Sequence, residues 1–181
     1  MKTVLNNYCN IDANKYKLRR LSVDDSKDVY EIFSDFEVVK YQQIPPMESV
    51  EQARQAILNF QKSFDDGTKI RWAIVDETSK TIGIISLQRY DEETQSVYIG
   101  FMLNKEYWGK GVMTDVASSL ISYLFSNSKI VKVFAEVLPE NTGSRKLCEK
   151  LGFTEIGFLE KSVFNFRDDS YEDQYVYQKE K

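Results

Sequence analysis

Two glycines, Gly109 and Gly111, stand between an apolar stretch and a segment with helical periodicity. The apolar stretch covers 97–103 and the helical segment covers 112–125. Glycine lets the backbone come close to a ligand, and the first N–H groups of a helix have no partner within it. Those N–H groups and the positive end of the helix dipole can hold a phosphate. An ordinary strand-to-helix turn has the same pattern, so further signals are needed to distinguish the two.

Three polar side chains near these segments are candidates for chemistry. Glu136 lies within an apolar stretch, where a carboxylate must be at an edge, paired, or functional. Tyr98 could relay a proton through water, although a tyrosine in a strand most often serves packing. Asn141 follows a predicted strand and precedes a short helix, which it would cap.

The composition excludes several classes of site. The chain has no histidine, so neither a Ser–His–Asp nor a Cys–His nucleophile can exist, and no histidine-based metal site is expected. Cys9 and Cys148 are far apart and lack the spacing of metal ligands, so we predict no metal. The net charge of −4 argues against nucleic acid and anionic membranes and suits a basic or amine substrate. Without a leader or a long apolar run, a soluble cytoplasmic protein is expected.

The elements that position these residues follow from apolar periodicity and turn signals. In 181 residues we expect an arm over 1–15, loose or forming a short edge strand, and a single domain over 16–181. Ser22 or Asp24 should begin one helix and Ser49 a second. Predicted strands cover 17–21, 70–76, 81–90, 97–103, 130–138, 155–164 and 171–177, with later helices at 112–125 and 143–151.

The order of these elements predicts the fold class. The strand 97–103, the helix 112–125 and the strand 130–138 form a βαβ unit whose strands should be parallel neighbours. Antiparallel hairpins lie on both sides of it. We therefore predict an α+β protein with a mixed, mostly antiparallel sheet, one parallel βαβ unit and flanking helices. A doubly wound dinucleotide fold would alternate strands and helices throughout.

Three short motifs then resemble a known family. Residues 106–111 read EYWGKG, 139–144 read PENTGS and 147–153 read LCEKLGF. In this order and spacing they resemble the GCN5-related N-acetyltransferase (GNAT) superfamily, and within it the RimJ/RimL-type ribosomal-protein N-acetyltransferase branch. The resemblance extends over about 16–177. It implies the GNAT acyl-CoA N-acyltransferase fold and acetyl-CoA as the cosubstrate.

The resemblance also assigns the cofactor site. The family's pyrophosphate signature falls on 108–113, with Trp108 in place of the usual Arg or Gln and Met113 in place of the usual Gly or Ala. Lys110 is either a phosphate contact or a solvated surface lysine. The implied cofactor-binding residues are Phe101, Met102, Leu103, Trp108, Gly109, Lys110, Gly111, Val112, Met113, Thr114, Asn141 and Ser144.

The family's mechanism implies further roles. The strand 97–103 would carry a bulge and diverge from 130–138, and the N–H of Leu103 would polarise the thioester carbonyl. Ser144 would contact the cofactor. Cys148 replaces a tyrosine that many members use as a general acid. The predicted catalytic residues are Leu103, Glu136, Tyr98 and Ser144, with Glu136 or Tyr98 as the base.

The expected function is transfer of an acetyl group from acetyl-CoA to a primary amine by direct attack through a tetrahedral intermediate. A weak base favours an α-amine, so a protein N-terminus of ribosomal-protein type is the leading acceptor. The alternatives are a small amine, such as a polyamine or antibiotic, and a non-catalytic acyl-CoA-binding module. The expected partners are acetyl-CoA and the acceptor, with a homodimer left open. Candidates for acceptor recognition are Tyr41, Trp72, Tyr90, Phe164 and Asp173.

Overall fold

The computed structural model describes residues 10–181. Residues 1–9, with Cys9 and most of the predicted arm, lie outside this range. The strands are β1 (Ile11–Ala13), β2 (Tyr16–Arg20), β3 (Lys69–Val75), β4 (Thr81–Asp91), β5 (Ser96–Leu103), β6 (Lys132–Val137), β7 (Thr154–Asn165) and β8 (Ser170–Glu180). The helices are α1 (Ser26–Ser34), α2 (Phe36–Val39), α3 (Val50–Asp65), α4 (Val112–Asn127) and α5 (Thr142–Lys150), with 3-10 turns at Val23–Asp25, Lys40–Gln42 and Lys105–Tyr107.

All eight strands form one sheet in the order β1-β2-β3-β4-β5-β6-β8-β7. Among the strands of residues 10–181, only β5 and β6 are parallel, and α4 connects them, as the βαβ prediction requires. Every other neighbouring pair is antiparallel. The predicted fold class, α+β with a mostly antiparallel sheet, is therefore confirmed.

Each face of the sheet has its own core because successive strand residues point to opposite sides. On one face, α4 and α5 pack over residues of the sheet such as Trp72, Ile85 and Leu87. On the other face, α1, α2 and α3 cover a smaller core that includes Ala73 and Ile84. The adjacent positions 72 and 73 of β3 thus belong to different cores.

Two helix starts confirm the predicted caps, whereas the N-cap of α1 is Asp25, which makes no side-chain cap hydrogen bond. Ser22 begins a capping box at the 3-10 turn that leads into α1, and the Ser49 side chain accepts a hydrogen bond from the N–H of Gln52. The Asn141 side chain accepts one from the N–H of Ser144 at 3.1 Å. The short helix α2 and the turn that follows it were not predicted, since neither carries enough periodic apolar positions.

The N-terminal strand and the predicted bulge both differ in detail from the expectation. Within the described part of the predicted arm, β1 pairs with β2 as an edge strand, and Ile11 is buried in the core. The pairing of β4 with β5 is regular along 98–103, so the bulge is not on β5. The shift falls on β4, between Gln88 and Asp91, where Arg89 has a φ of +51°.

In residues 10–181, no helix is long and apolar enough to cross a membrane.

Candidate active site

A gap between the parallel strands forms the centre of the site. β5 and β6 pair only where 96–98 faces 132–134, and they separate beyond that point. The N–H of Asn104 donates to the carbonyl of Ile82 at 2.8 Å. In an antiparallel strand, the N–H and C=O groups of successive residues point to opposite sides. Those of Leu103 and Phe101 therefore point away from β4 and into the gap. The divergence of the strands thus leaves the backbone N–H groups of Phe101 and Leu103 facing the gap.

The glycine turn meets the gap at the start of α4. Gly109 and Gly111 have φ values of +71° and +80°, a region that L side chains rarely adopt. A Cβ added at either position would meet nothing within 4 Å, so the turn leaves open space above it. Gly111 is the N-cap of α4 and supplies no side-chain cap, which leaves the first N–H groups of the helix available to an anion.

Trp108 connects this turn to the end of β5. Its indole Nε1–H donates to the carbonyl of Leu103 at 2.8 Å, while 42% of the residue remains exposed. The bond fixes the peptide at the end of the strand next to the turn. The substitution of tryptophan for the family's usual Arg or Gln therefore has a structural consequence at the gap itself.

A cavity of about 500 Å³ occupies the space between the glycine turn, the gap and α5. All the predicted cofactor residues except Lys110 line it, and Lys40, Lys146 and Lys150 add three cations to its wall. The Lys110 ammonium lies 5.5 Å from the centre of the Tyr107 ring. Met113 is only 7% exposed and belongs to the core, so most of its side chain packs away from the cavity.

A second cavity of about 350 Å³ lies at the same gap. Gln88, Gly100 and Glu136 in its wall alternate with residues that pack on α4, so it opens on the opposite face of the sheet. The two cavities share Tyr41, Gln42, Phe101, Asn141 and Ser144. The gap therefore joins two spaces that approach it from different sides.

Glu136 has a partner, which is one of the alternatives that its sequence context left open. Its two carboxylate oxygens accept hydrogen bonds from Nη1 and Nη2 of Arg89 at 3.0 and 2.6 Å. The guanidinium carbon of Arg89 lies 3.6 Å from the ring centre of Tyr98, and that ring stacks on Phe134 at 5.2 Å. Both candidate bases, Glu136 and Tyr98, are thus held by contacts with Arg89.

Most of the predicted acceptor-recognition residues lie elsewhere. Tyr41 lines both cavities, but Trp72 is fully buried in the core, because the register of β3 turns it toward α4. Tyr90 packs against that same core. Phe164 contacts the rings of the hairpin tip, and Asp173 accepts from the N–H of Lys161 at 2.8 Å, so both support the β7–β8 hairpin.

Cys148 is unsuited to proton transfer. It is 2% exposed, and burial raises the pKa of its thiol to about 12. Such a group stays protonated and acts as a small packing residue.

Among residues 10–181, no cluster of three or more His, Cys, Asp or Glu residues is arranged to hold a metal ion.

Six polar residues that line the second cavity were not named from the sequence: Gln42, Gln43, Gln88, Arg89, Ser162 and Gln174. Their local patterns are those of ordinary surface positions. Gln42 reaches the gap and donates to the carbonyl of Phe101 at 3.5 Å. A detectable signal existed only for Arg89, as a charge beside the turn at 91–94.

Comparison with known proteins identifies relatives in sequence and in structure. The model for the acetyltransferase (GNAT) domain matches residues 15–154. A relative from Bacillus licheniformis, the uncharacterized N-acetyltransferase p20, is 35% identical over 148 residues, covering 81% of this chain and 83% of p20. The crystal structure of a GNAT-family acetyltransferase from Bacillus anthracis superposes with a TM-score of 0.83 at 24% identity, covering 95% of this chain and 98% of that one.

A structure of RimL, the ribosomal L7/L12 alpha-N-protein acetyltransferase, in complex with coenzyme A has the same fold, with a TM-score of 0.82 at 16% identity. It covers 95% of this chain and 98% of RimL. The coenzyme of these enzymes suits the larger cavity, with its open glycine turn, uncapped helix start and three lysines. The chain belongs to the GNAT family of acetyl-CoA-dependent N-acetyltransferases.

Proposed function

We propose that this enzyme acetylates the N-terminal α-amine of a protein. The observation that carries the proposal is the meeting of two cavities at the gap between β5 and β6, where the N–H of Leu103 points. One cavity suits acetyl-CoA and the other suits the acceptor. A thioester and an amine that enter from the two sides would meet beside Leu103.

The larger cavity would hold the coenzyme through backbone groups and cations. The pyrophosphate would lie against the N–H groups of Val112, Met113 and Thr114, above Gly109 and Gly111. Lys146 and Lys150 line the same cavity and are four residues apart on α5, so both can face a phosphate. Asn141 and Ser144 would contact the pantetheine arm, whose thioester supplies the activated acetyl group.

The N–H of Leu103 would stabilise the negative charge that develops on the acetyl oxygen. In enzymes, removal of one oxyanion-hole donor lowers the rate by a factor of about 10² to 10³. Its neighbours keep it in position, since Trp108 holds the Leu103 carbonyl and β4 pairs with the strand on its other side. Ser144, at the junction of the two cavities, is proposed to contact the reacting end of the cofactor.

The site favours an amine that needs little help to lose its proton. Both oxygens of Glu136 accept hydrogen bonds from Arg89, and Tyr98 lies between Arg89 and Phe134. An α-amine with a pKa near 8 is already about one-tenth neutral at pH 7, whereas a lysine amine near 10.4 is not. We therefore propose that Glu136 and Tyr98 take up the amine proton through solvent at most. The low pKa of the acceptor amine then supplies the neutral nucleophile.

The name of RimL, an alpha-N-protein acetyltransferase, agrees with this acceptor class. A small amine is the second candidate because a volume of about 350 Å³ falls within the range of small-molecule sites. A polyamine would bring several ammonium groups to a cavity that contains Arg89, which makes it the weaker choice.

The test compares acceptors in one assay of coenzyme A release. A hexapeptide with a free N-terminus and one internal lysine is expected to react, and mass spectrometry should locate the acetyl group on the α-nitrogen. The same peptide with a blocked N-terminus is the matched control and should release no thiol. Acetylation of the lysine in both peptides, or of spermidine alone, would overturn the proposal. Stabilisation by acetyl-CoA without thiol release from any amine would indicate the non-catalytic binding module.

We also propose that the enzyme is a cytoplasmic homodimer joined through β7. This strand forms the edge of the sheet and exposes Ile156, Phe158 and Leu159 by 52%, 45% and 41%. Exposed apolar groups on an unpaired edge are typical of an interface. Light scattering should give twice the chain mass, and F158K should shift the enzyme to a monomer. A monomeric wild type would contradict the dimer.

A further inference from the structure

The geometry points to an acceptor that carries an anionic group, bound by Arg89 at a distance from the reacting amine. For a protein N-terminus, this group is an acidic side chain at the third or fourth residue. The inference rests on the proposed function, since it assumes that the cavity of about 350 Å³ receives the acceptor.

Arg89 is held in an unusual conformation that directs it to this cavity. It lies in the register shift between Gln88 and Asp91, with a φ of +51° that disfavours residues other than glycine. Bulges of this kind redirect side chains and occur near active sites. Glu136 and the ring of Tyr98 then fix the guanidinium at the cavity wall. Three elements, β4, β5 and β6, thus cooperate to orient one arginine.

The guanidinium retains capacity for a ligand. An arginine has five N–H donors, and the Glu136 carboxylate takes two of them. Half of the Arg89 side chain is exposed, whereas only 16% of the Glu136 side chain is. The open part of the pair is therefore the cation. A carboxylate on the acceptor would form charge-assisted hydrogen bonds with the remaining donors.

The charges around Arg89 also favour an anion. Among the described residues that line the cavity, Arg89 and Glu136 are the charged ones, and they neutralise each other. Two more cations lie behind them on β3, where Lys69 pairs with Gln88 and Arg71 pairs with Ser86. Burial, together with the positive charges of Arg71 and Arg89, lowers the pKa of Lys69 to about 8.

No acidic side chain within residues 10–181 forms an ion pair with Lys69. Arg89 and Lys69 thus bring two positive charges to the neighbourhood of Glu136, although the whole chain has a net charge of −4. An acceptor with several ammonium groups would meet repulsion here. One with a carboxylate would gain an attractive field from Lys69 as well as direct contact with Arg89.

The position of the acidic residue follows from strand geometry. Arg89 lies over Tyr98, while the reacting amine would lie near Phe101 or Leu103. Strand residues advance about 3.3 Å each, so these points are about 10 to 16 Å apart. Two or three residues of extended peptide, together with the length of an acidic side chain, span that distance. This places the carboxylate on the third or fourth residue.

The experiment uses the full-length enzyme and hexapeptides that differ at one position. Asp, Asn or Lys is placed at residue 2, 3, 4 or 5, and kcat and KM are measured by thiol release. At residue 3 or 4, Asp should give a kcat/KM about tenfold above Asn, with Lys below Asn. The gain should appear in KM, because the contact is remote from the reacting nitrogen and equal in ground and transition states.

Variants of Arg89 identify the cation responsible. R89Q should abolish the preference for Asp over Asn, and R89K should retain part of it, since lysine keeps the charge but not the planar donors. The matched control is R54Q on α3, another arginine whose side chain is about half exposed and paired with a glutamate outside both cavities. It should leave the preference intact.

Equal rates for the Asp and Asn peptides with the wild-type enzyme would overturn the inference while leaving the proposed function standing. So would a preference for Asp that survives in R89Q. Absence of transfer to every peptide, with acetyl-CoA still bound, would instead overturn the proposed function. The comparison of peptides needs only the wild-type protein, so it does not depend on whether a variant folds.

Discussion

Two arginine–carboxylate pairs in this protein have nearly the same geometry and opposite surroundings. Arg19 meets Asp25 through Nη1 at 2.8 Å and Nη2 at 2.6 Å, and Arg89 meets Glu136 at 3.0 and 2.6 Å. The Asp25 carboxylate also accepts from the N–H of Ser22 and the hydroxyl of Thr81, each at 2.7 Å. The protein itself therefore completes the first pair, whereas the second leaves donors open at a cavity.

The first pair holds several elements together. Asp25 lies in the 3-10 turn before α1, Arg19 is on β2 and Thr81 begins β4. Burial works to raise the pKa of Asp25, but hydrogen bonds from Arg19, Ser22 and Thr81 outweigh it and hold the pKa below its usual value. The ionised carboxylate is thus part of the folded structure, and little of it is exposed.

The largest expected effect is a difference in stability between the two pairs. D25A should lower the free energy of unfolding by about 3 kcal/mol, because it removes a cap and leaves a partly buried arginine without its partner. E136A should cost about 1 kcal/mol or less, since half of the Arg89 side chain is already in water. Urea denaturation of both variants measures the difference. Equal losses would show that the two pairs are not distinct in role.

The sequence predicts the local parts of this molecule well. The turn at Gly109 and Gly111, the cap at Asn141 and the βαβ order all depend on residues near each other in the chain. Their signals are periodicity and turn chemistry, which act over a few residues. The family, the cosubstrate and the fold are predicted from these features.

The second cavity could not be predicted in the same way. Arg89 and Glu136 are 47 residues apart, and Arg89 lies where β4 gains a residue in its pairing with β5. The cation Lys69 joins them through the register of β3 on β4, which no local pattern encodes. The net charge of −4 even suggested a basic acceptor, the reverse of what the local charges favour. Trp72 was misassigned for a related reason, since register decides which face a strand residue takes.

A smaller effect, of opposite sign, is expected at Lys69. Its folded pKa of about 8 lies below the ordinary value near 10.5, so the charged form is destabilised in the folded state. That cost is fully present at pH 7, where lysine is protonated in both states. It is relieved as pH rises from 8 to 10.5, because the unfolded chain then binds more protons and stability increases with pH.

K69M should therefore raise the free energy of unfolding at pH 7 by about 1 kcal/mol or more, and its advantage should narrow above pH 8. K62M, at an exposed lysine on α3, is the matched control and should change stability little. K69M should also weaken the preference for acidic peptides. If K69M is less stable than the wild type at pH 7, the charged Lys69 does not destabilise the fold, and its assignment as a costly cation near the acceptor cavity is wrong.

The smallest expected effect is the loss, in acid, of the stability that the Arg19–Asp25 pair contributes. Because the folded pKa of Asp25 is lowered, its contribution is present above the ordinary aspartate pKa of about 3.9 and is lost as pH falls through the folded value. The stability difference between wild type and D25N should thus shrink between pH 5 and pH 3, by about 1 kcal/mol. Urea midpoints across this range measure it.

T81V removes one of the hydrogen bonds that lower the pKa of Asp25, so it should shift the same loss to slightly higher pH. D25N should flatten the acid dependence, because the amide cannot ionise. A difference between wild type and D25N that stays constant from pH 5 to pH 3 would mean that the ionised carboxylate does not stabilise the fold. The contrast between a pair that the protein completes and a pair that it leaves for a ligand would then rest on Arg89 alone.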